Sequence, residues 1–571
     1  MSEKEDTPDY DVIIIGAGLY GIQAARTYLE IHPKANLCIL ESDDVIGGTW
    51  SSKRIYDAFW TQTPVGMAEI SDQPMTPPPL EDQYYGFFPA KYVTEYLESY
   101  VDSHIYDSVS LRERIKFDVN VQKIEKIDKF WVVFCHDGVE MKTTKLIDAT
   151  GMTSQPNIPN LPGKESFQGR ILHHKEFGEL GDLKNIQGHH FAVLGGGKSA
   201  ADVAYSAAKV GKVVSWIIRE EGNGPAALLS CKGKGPYANS NDSFYTRLVA
   251  SFLPNPFSKD SYLSKFLHGS RLGTWIVRRF WDAVDRAHRK EVDYQREEGK
   301  CNRFYNLEPD TPLFWQNDSS GINQRPDFYT TIASKVCVYR QDIERISPHS
   351  ISLAAGTRAE ENTRMLPVDI LVLCTGWSPI SQLYSRHLAK EMGLPVELDK
   401  TEERETSDDE QSLVEKQVLN DFQTLRFPPK YRRIGPSHTP CRLYRLMVPV
   451  IDTPAHSIVF LGKMVVGNNF RAAEIQALWA VAYLDGKLQV DSLQARQEID
   501  ETLVWCRKRY LNKGHLGSWL FFDTVDYSDW LLSQLGLKSH RQGGFLRHFL
   551  GPCRAVGLRN LIEEYKALRR S

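Results

Sequence analysis

The sequence predicts an α/β fold with two Rossmann-like dinucleotide-binding domains. Two segments, residues 11–41 and 191–219, each contain a short apolar strand, a glycine-rich turn at a helix start and a second strand, which is the pattern of a nucleotide-binding βαβ unit. A strand that runs into a small-Thr-Gly turn occurs before the second unit, at 145–151, and again after it, at 370–376. We therefore expect the second domain to be inserted into a first domain that is discontinuous in sequence. The expected boundaries are 8–165 and 335–571 for the discontinuous domain, whose second part includes the C-terminal helical region, and 166–334 for the inserted one.

Length and composition restrict the class of protein. A chain of 571 residues is long enough for two or three domains, and its formal net charge of −3 gives no reason to expect a nucleic-acid partner. The nine cysteines form no C-x-x-C pair. Their scatter argues against structural zinc and against a dithiol redox centre, and it is typical of a reducing compartment. We therefore expect no metal.

The sequence shows no segment that predicts insertion into a membrane. Residues 1–10 are polar and acidic, unlike a signal peptide, and no run approaches the roughly eighteen apolar residues of a membrane span. Residues 262–294 form a helical stretch in which basic residues stand among aromatic and aliphatic ones. Such a stretch either lies on a membrane surface or turns a solvated charged face outward over a core-facing stripe, and we favour the second interpretation. The expected location is cytoplasmic.

The first βαβ unit has the residues that a dinucleotide requires. Gly16, Gly18 and Gly21 follow the predicted strand 11–15 and open the next helix, and glycines at this spacing let the backbone lie against a pyrophosphate. The second strand ends in Glu41, where a carboxylate accepts hydrogen bonds from ribose hydroxyls. The first unit is therefore predicted to bind FAD or NAD. The alternative is a glycine turn used only for close packing.

The second unit differs from the first at one informative position. Gly195, Gly197 and Ala200 form the turn after the apolar run 191–194, and the second strand of this unit ends in Arg219. Arginine pairs with a 2′-phosphate, whereas a carboxylate at this place accepts from ribose hydroxyls. The second unit is therefore predicted to bind NADPH. The alternative is that Arg219 is a solvated surface charge.

Three other segments have patterns that predict their local structure. Residues 116–122 are expected to form a strand, and residues 470–484 a helix with its apolar side chains on one face. Residues 399–415 form an acidic, polar tract, for which we expect a surface insertion.

Between the two units lies a fingerprint, Phe167-x-Gly169-x-x-x-His173-x-x-x-Phe177. Two dinucleotide units of opposite preference joined by this fingerprint resemble the flavin-containing monooxygenases of the class B flavoprotein type. The resemblance extends over most of the chain. Its further matching motifs are Gly47 to Trp50, Thr61 to Pro64, Ser71-Asp72-x-Pro74, Ala149 to Gly151, Cys374 to Gly376 and Ala473-Glu474-Ile475-Gln476.

The resemblance implies FAD on the first unit and NADPH on the second. Gln62 stands where many relatives carry an asparagine beside the reactive flavin carbon, so it is the expected catalytic residue. For His173 a second interpretation stands, that of a linker histidine that holds the hinge between two domains. The residues expected to contact the cofactors are Gly16, Gly18, Gly21, Glu41, Gly48, Thr49, Trp50, Thr61, Gln62, Ala149, Thr150, Gly151, His173, Gly195, Gly197, Lys198, Ser199, Ala200, Arg219, Thr375, Gly376 and Gln476.

The reaction that the resemblance implies is hydride transfer from NADPH to FAD, followed by oxygen transfer from a C4a-hydroperoxyflavin to a small organic substrate. Baeyer–Villiger relatives usually end the fingerprint in tryptophan and carry an Arg-containing Tyr-Pro-Gly segment, whereas this chain has Phe177 and a different segment at 51–60. Oxygenation of nitrogen or sulfur is therefore favoured. The alternatives are Baeyer–Villiger oxygenation of a ketone, an FAD/NADPH reductase or oxidase without oxygen transfer, and a non-catalytic nucleotide-binding scaffold. The sequence carries no signal for substrate identity or oligomeric state.

Overall fold

The protein is seen in a computed structural model that describes residues 7–299, 303–317, 320–356, 364–398, 408–541 and 543–570. Two large sheets organise these residues, and helices cover both. The α-helices comprise Leu19–Ile31, Lys91–Ser103, Lys198–Lys209, Ser240–Phe244, Arg247–Ala250, Tyr262–Gly269, Arg271–Val292, Phe328–Lys335, Arg386–Met392, Asp408–Asp421, Asn469–Leu484, Ser492–Tyr510, Thr524–Gln534, Phe545–Leu550 and Leu561–Arg570.

The first sheet has seven strands and is built around a fully buried run. Val12, Ile13 and Ile14 have no exposed surface, as expected for a parallel strand that is covered on both faces. The late strand Ile458–Phe460 joins this sheet beside residues 146–148, so the first domain is discontinuous in sequence, as predicted. The other strands, in sheet order, are Ile115–Lys116, Leu37–Leu40, Tyr10–Ile15, Glu140–Asp148, Phe130–Cys135 and Val121–Ile127.

The second sheet has five parallel strands and extends beyond the predicted end of the inserted domain. Its order is Val336–Arg340, Val213–Ile218, His190–Leu194, Ile370–Leu373 and Arg170–His173. The predicted boundary between residues 334 and 335 is therefore wrong for this sheet. The apolar run 370–373 lies between two parallel strands, a position that a continuously hydrophobic segment favours, and it brings the turn at 375–376 to the second domain.

Different elements pack on the two faces of the second sheet. Helices Lys198–Lys209 and Phe328–Lys335 share one apolar cluster with one face. An antiparallel sheet, made of Ile343–Ser347, Ser350–Leu353 and Arg364–Pro367, shares another cluster with the opposite face. Two short parallel strands, Ala227–Ser230 and Ser320–Asn323, pair with each other outside these layers. The remaining two-stranded sheets are Ile105–Tyr106 with Val109–Ser110 and Val465–Val466 with Trp519–Leu520.

The helix Asn469–Leu484 is buried on every side. All residues from 470 to 484 are buried, because the helix packs between Leu19–Ile31 and Thr524–Gln534. The expectation of a single apolar face is therefore wrong. A helix enclosed on all sides needs apolar or fully bonded side chains around its whole circumference.

The stretch 262–294 is a helical hairpin rather than one helix. Tyr262–Gly269 and Arg271–Val292 meet at Ser270, and the second helix buries a stripe that includes Val277 and Trp281, as predicted. The expected charged outer face is only partly correct, because large apolar side chains are exposed near the hairpin turn. None of the helices in the described ranges combines the length and apolar character that a bilayer span requires.

Two further predictions concern residues 116–122 and the acidic tract 399–415. Residues 116–122 do not form one strand, because Asp118 adopts a left-handed backbone conformation (φ 56°) and the chain passes from one edge of the first sheet to the other. Of the acidic tract 399–415, residues 399–407 lie outside the described residues, and the remainder belongs to the helix Asp408–Asp421.

Candidate functional site

The first glycine turn is held by close contacts that no other residue type permits. Gly16 has φ +100°, and a Cβ on it would lie 3.1 Å from the carbonyl oxygen of Ala149. A Cβ on Gly21 would overlap the carbonyl oxygen of Gly16. These two glycines therefore join the first strand, its helix and the turn at residue 149 into one tight unit.

Gly18 has a different role from its neighbours. It begins the helix in extended backbone, and within the described structure no side chain caps that helix. The first amide of the helix that bonds within it is that of Ile22, which donates to Gly18 O, so the amides before it are available to an anion. A Cβ on Gly18 would have Gly48 as its nearest neighbour, 3.7 Å away at Cα. This open cradle fits a dinucleotide pyrophosphate.

Glu41 is fixed beside this cradle by backbone donors. Ala17 N donates to its Oε2 at 2.7 Å, and Asp43 N donates to its Oε1 at 3.0 Å. The carboxylate is almost fully buried. Ser42 Oγ also donates to Oε1, at 3.2 Å, so Oε2 is the oxygen that can accept a further hydrogen bond. Its place at the end of the second strand fits the predicted ribose contact.

The segment Gly48 to Trp50 packs against the first domain. It forms a single 3₁₀ turn after Gly47, and the Thr49 and Thr153 hydroxyls lie 2.8 Å apart. The Trp50 ring stacks on Phe59, with centroids 5.6 Å apart. The turn is thereby held next to the Gly18 cradle.

The turn at Ala149 to Gly151 depends on two residues that the sequence pattern missed. Thr150 donates from both N and Oγ1 to the fully buried Asp148, at 3.0 and 2.7 Å. Lys463 Nζ in turn donates to Thr150 Oγ1 at 2.6 Å. Apart from its two chain neighbours, no described residue has an atom within 4 Å of a Cβ built on Gly151, which leaves room for a ligand at this sheet edge.

His173 connects the fingerprint to the turn at Thr375 and Gly376. Its Nε2 donates to Gly376 O at 3.0 Å, and its Nδ1 accepts from Lys175 N at 3.2 Å. Both ring nitrogens are thus used by the protein, and burial lowers the pKa of the imidazole. This geometry favours the hinge interpretation of His173 over a direct cofactor contact.

Phe177, the last fingerprint residue, and Gly178 next to it contact the segment 51–60, whereas Gly169 packs within the second domain. Phe177 is buried and meets the Tyr56 ring edge to face, with centroids 5.0 Å apart. A Cβ on Gly178 would lie 2.5 Å from the carbonyl oxygen of Ile55. A Cβ on Gly169 would overlap the carbonyl oxygen of Asp369. The fingerprint therefore acts as a joint between the two domains.

The second glycine turn, like the first, has one glycine in close backbone contact and one that begins a helix in open space. Gly195 has φ +141°, and a Cβ on it would overlap the carbonyl oxygen of Cys374. Gly197 begins the helix Lys198–Lys209, which is uncapped by side chains in the described structure, and around its Cβ position there is open space to 4 Å. Ser199 and Ala200 lie in the first turn of this helix, whose free amides fit a second pyrophosphate.

Arg219 follows the strand Val213–Ile218 directly and is exposed at its carboxyl end. In a parallel sheet this is the edge at which nucleotides bind. An exposed guanidinium at that edge can reach a 2′-phosphate, which fits NADPH. The exposure alone also fits the alternative of a solvated charge.

The segment that carries Gln62 is clamped by residues of the second domain. Ile322 N donates to Gln62 Oε1 at 2.6 Å, and Asn241 Nδ2 donates to Gln62 O at 2.9 Å. Gln324 Nε2 donates to Thr61 O at 2.7 Å. Because the clamping residues are 179 to 263 positions away in sequence, local patterns could not reveal them.

A buried charge cluster lies next to Gln62. Lys198 Nζ lies 2.5 Å from Asp202 Oδ1, and Arg325 Nη1 lies 3.4 Å from the same oxygen. A Cβ on Gly321 would lie 3.2 Å from both Gln62 Oε1 and the Lys198 side chain. Burial lowers the pKa of Lys198, and Asp202 partly restores it. Lys198 was predicted from the turn, whereas Asp202 and Arg325 were not.

Gln476 occupies a different environment from the one predicted. It is fully buried, Gly462 N donates to its Oε1 at 3.1 Å, and its Nε2 donates to Tyr527 OH at 2.8 Å. The side chain of Gln476 therefore exposes no polar atom with which to make the predicted contact to a cofactor. Gln476 instead ties the loop at Gly462 to the helix Thr524–Gln534.

Glu474, two residues earlier, is a buried acid. Ser71 N donates to its Oε2 at 3.0 Å, and Ser71 Oγ donates to its Oε1. Burial raises the pKa of Glu474 to about 7. The matching motifs Ser71-Asp72 and Ala473 to Gln476 are thereby explained as one structural contact between distant segments.

Replacement of Glu474 by glutamine is expected to change the pH dependence of stability. Because the folded-state pKa lies above the ordinary value of 4.5, the stabilising contribution is fully present below that value and is lost as the pH rises through about 7. The difference between the pKa values of about 7 and 4.5 corresponds to roughly 3 kcal/mol of unfolding free energy. The measurement is the free energy of unfolding in urea at several pH values across this window. A Glu81→Gln control, at an exposed site, should keep the wild-type slope. An unchanged slope in Glu474→Gln would contradict the assignment.

Comparison with known proteins agrees with this arrangement. Residues 13–229, which include both glycine turns, match a family model described as pyridine nucleotide-disulphide oxidoreductase. The chain is 30% identical to an FAD-dependent monooxygenase of Aspergillus nomiae, and the match covers 98% of each chain. Its fold is similar to an open crystal structure of cyclohexanone monooxygenase, with a TM-score of 0.57 and 16% identity over 92% of this chain and 98% of that one. It is also similar to Tmm from Pelagibacter sp. strain HTCC7211, with a TM-score of 0.53 and 16% identity over 91% of this chain and 85% of that one. Since the Aspergillus relative aligns over almost the whole of both chains, this chain belongs to the FAD-dependent monooxygenases.

Proposed function

We propose that this monooxygenase uses NADPH as its electron donor and transfers one oxygen atom from O₂ to a nucleophilic nitrogen or sulfur of a small organic substrate. The observation that carries the proposal is the contact region of Gln62. There Gly321 lies between the neutral amide expected on the flavin side and Lys198, the first residue of the helix expected to hold NADPH, and a Cβ on Gly321 would lie 3.2 Å from both side chains. This arrangement supports two cofactors that meet at the boundary of the two domains.

Bound FAD would supply the redox chemistry by accepting electrons from NADPH and activating O₂. The protein residues bind, orient and exclude water. Gln62 Oε1 is occupied by Ile322 N, so the donor group of the amide is the one left to face a ligand. Its Nε2 has no hydrogen-bond partner within the described part of the chain. We assign Gln62 the role of a donor that orients a bound group at the domain boundary.

The charges around this region favour oxygenation of a heteroatom. An amine nitrogen or a thioether sulfur brings its own lone pair, whereas a ketone adduct develops an oxyanion that needs a fixed cation. Arg54 already donates to Thr153 O at 3.0 Å and lies over the Trp377 ring. Arg325 pairs with Asp202 and donates to Ala58 O. Both guanidinium groups are thus engaged by the protein.

One observation favours Baeyer–Villiger oxygenation of a ketone as a second candidate function. Lys198 and Arg325 share the single carboxylate of Asp202, which leaves one positive charge in excess beside Gln62. A cation in this place would stabilise a developing oxyanion.

The two candidates differ in their products. The purified enzyme would be incubated with NADPH and, separately, with a tertiary amine, a thioether and a cyclic ketone, and the products identified by NMR. An N-oxide or a sulfoxide supports the proposal, whereas a lactone as the only product supports the second candidate. NADPH consumption that yields only hydrogen peroxide in every case would overturn both.

Replacement of Gln62 by alanine is expected to uncouple NADPH oxidation from oxygen transfer. The loss of one neutral donor is worth about 1 kcal/mol, so we expect about a fivefold rise in hydrogen peroxide released per NADPH, with flavin reduction unchanged. Both quantities are measurable in stopped-flow and peroxide assays. A Gln62→Asn variant, which keeps an amide, should show a smaller rise. Equal peroxide yields in wild type and Gln62→Ala would remove Gln62 from the site.

Replacement of Arg219 by alanine is expected to impair the use of NADPH selectively. A charge-assisted contact to a phosphate is worth roughly 1.5 to 3 kcal/mol, so the KM for NADPH should rise about 10-fold to 150-fold. The KM for NADH, which lacks the 2′-phosphate, should stay nearly constant. Lys209→Ala, at an exposed cation on the helix of the same domain, serves as the control. Equal effects on both coenzymes would refute the assignment of Arg219.

A further inference from the structure

The helical hairpin Tyr262–Gly269 and Arg271–Val292 exposes an unusual set of side chains around its turn. Tyr262 is 95% exposed, Leu272 60% and Trp275 57%. Leu263 and Phe266 are 41% and 44% exposed. Isolated exposed apolar residues are ordinary, but a group of large ones on one element marks a surface that contacts another apolar phase. We call these five residues the hairpin patch.

The hairpin holds the patch on a rigid support. Gly273 lets the two helices touch, because a Cβ there would overlap the carbonyl oxygen of Phe266. Ser270 Oγ donates to Phe266 O at 2.7 Å and accepts from Gly273 N at 3.0 Å. On the inner side, Trp281 Nε1 donates to Phe252 O at 3.0 Å. The exposed side chains therefore belong to an ordered, packed hairpin and not to a frayed helix end.

The histidine near the hairpin turn faces the protein interior. His268 is buried, its Nε2 lies 3.0 Å from Ser251 O, and burial lowers its pKa to about 4. The imidazole is therefore neutral at physiological pH. The positive charges of the hairpin turn consequently belong to its outer side.

Those charges have a single sign. The sequence from residue 261 to residue 281 contains four cations, Lys265, Arg271, Arg278 and Arg279, and no aspartate or glutamate. Asp260 and Asp282 border this range, and Asp260 Oδ1 lies 3.6 Å from Lys265 Nζ, so the three arginines carry the positive charge that is not paired within the turn. Arg271 and Arg279 are exposed, and the Arg279 guanidinium lies 5.8 Å from the Trp275 ring centroid. The whole chain has a formal charge of −3, so the hairpin turn is a local basic region on an acidic protein.

We propose that the hairpin patch binds the surface of an anionic lipid bilayer. Aromatic and aliphatic side chains next to arginines and lysines are the composition of helices that lie in the headgroup region of a membrane, and each basic residue near such a surface adds attraction. A second copy of this chain is a poorer occupant, because a two-fold interface would bring the same four cations face to face. The five apolar side chains enter the headgroup region, while Arg271 and Arg279 contact lipid phosphates and carboxylates.

Co-sedimentation with vesicles tests the proposal. The purified holoenzyme should bind phosphatidylcholine vesicles that contain phosphatidylserine and bind pure phosphatidylcholine vesicles weakly. Arg271→Gln combined with Arg279→Gln should weaken binding about 30-fold. Leu272→Ser combined with Trp275→Ser should weaken it about tenfold or more. A matched control, Leu493→Ser combined with Arg496→Gln on the exposed side of another helix, should bind like wild type.

Two further measurements keep the result interpretable. Far-UV circular dichroism and flavin content should be unchanged in all variants, because every substituted side chain is exposed. Quenching of tryptophan fluorescence by brominated lipid should decrease in Trp275→Phe, which keeps the apolar contact but removes the fluorophore. The proposal is overturned if the holoenzyme binds neither kind of vesicle, or if sedimentation velocity without lipid shows a dimer that the patch variants dissociate.

Discussion

Replacement of Gly18 by valine is expected to give a folded protein that retains no FAD. Gly18 has φ −77°, a conformation that any residue can adopt, and the nearest described atom to its Cβ position is 3.7 Å away. The side chain can therefore be accommodated without FAD. It would, however, fill the gap between the helix N-terminus and the turn at Gly48, where the backbone must approach the pyrophosphate. The measurement is the ratio of flavin absorbance to protein absorbance after gel filtration.

The neighbouring glycine provides the matched contrast. In Gly21→Ala a Cβ would overlap the carbonyl oxygen of Gly16, so this change should destabilise even the protein without flavin. Gly18→Val should leave the unfolding temperature of the flavin-free protein close to wild type. A Gly18→Val protein with a full complement of flavin would show that the cradle does not hold the pyrophosphate.

Replacement of Asp202 by alanine is expected to cost about 3 to 5 kcal/mol of unfolding free energy, the range seen when one partner of a buried ion pair is removed. Asp202 is buried, and the side chains of Lys198 and Arg325 are 17% and 9% exposed. Without the carboxylate, two like charges would face each other in a region that excludes water. Urea unfolding, followed by tryptophan fluorescence, measures the loss.

The chain offers a control of the same chemistry at the surface. Asp327 pairs with Lys209 at 2.7 Å, but both side chains are more than 40% exposed, and such pairs are worth about 0 to 1 kcal/mol. Asp327→Ala should therefore lose much less stability than Asp202→Ala. Asp202→Asn, which preserves the volume and one acceptor, should fall between them. Equal losses in Asp202→Ala and Asp327→Ala would contradict the buried cluster.

Much of the cofactor-binding framework could be predicted from sequence because it depends on local backbone geometry. The spacing of Gly16, Gly18 and Gly21 predicted a turn that opens a helix, and the structure has the helix Leu19–Ile31 at this place. The contrast between Glu41 and Arg219 could also be recognised in the sequence, since both residues stand at a strand end at a similar distance from a glycine turn. Such features involve only a few consecutive residues, so their pattern survives in the linear sequence.

Other expectations failed where the decisive partner is distant. The pattern at 470–484 indicated one apolar face, yet helices from both ends of the chain enclose it. Gln476 was expected at the cofactor, but Tyr527 and Gly462 occupy its amide. The strand expected at 116–122 was broken by the left-handed conformation of Asp118. In the first two cases packing against distant segments decided the outcome, whereas in the third the cause is the local backbone conformation of one residue.

The sequence by itself determined the two glycine turns and the fingerprint that links them, and it predicted opposite nucleotide preferences for the two units. Only the tertiary structure decided that Ile370–Leu373 pairs within the second sheet, and that His173 therefore bonds to Gly376. It also brought Asp202 and Arg325 together across 123 positions beside the Gln62 segment. The physical reason is that turns and helix starts are specified by neighbouring residues, whereas sheet order and buried charge pairs arise from contacts that form only when the whole chain packs.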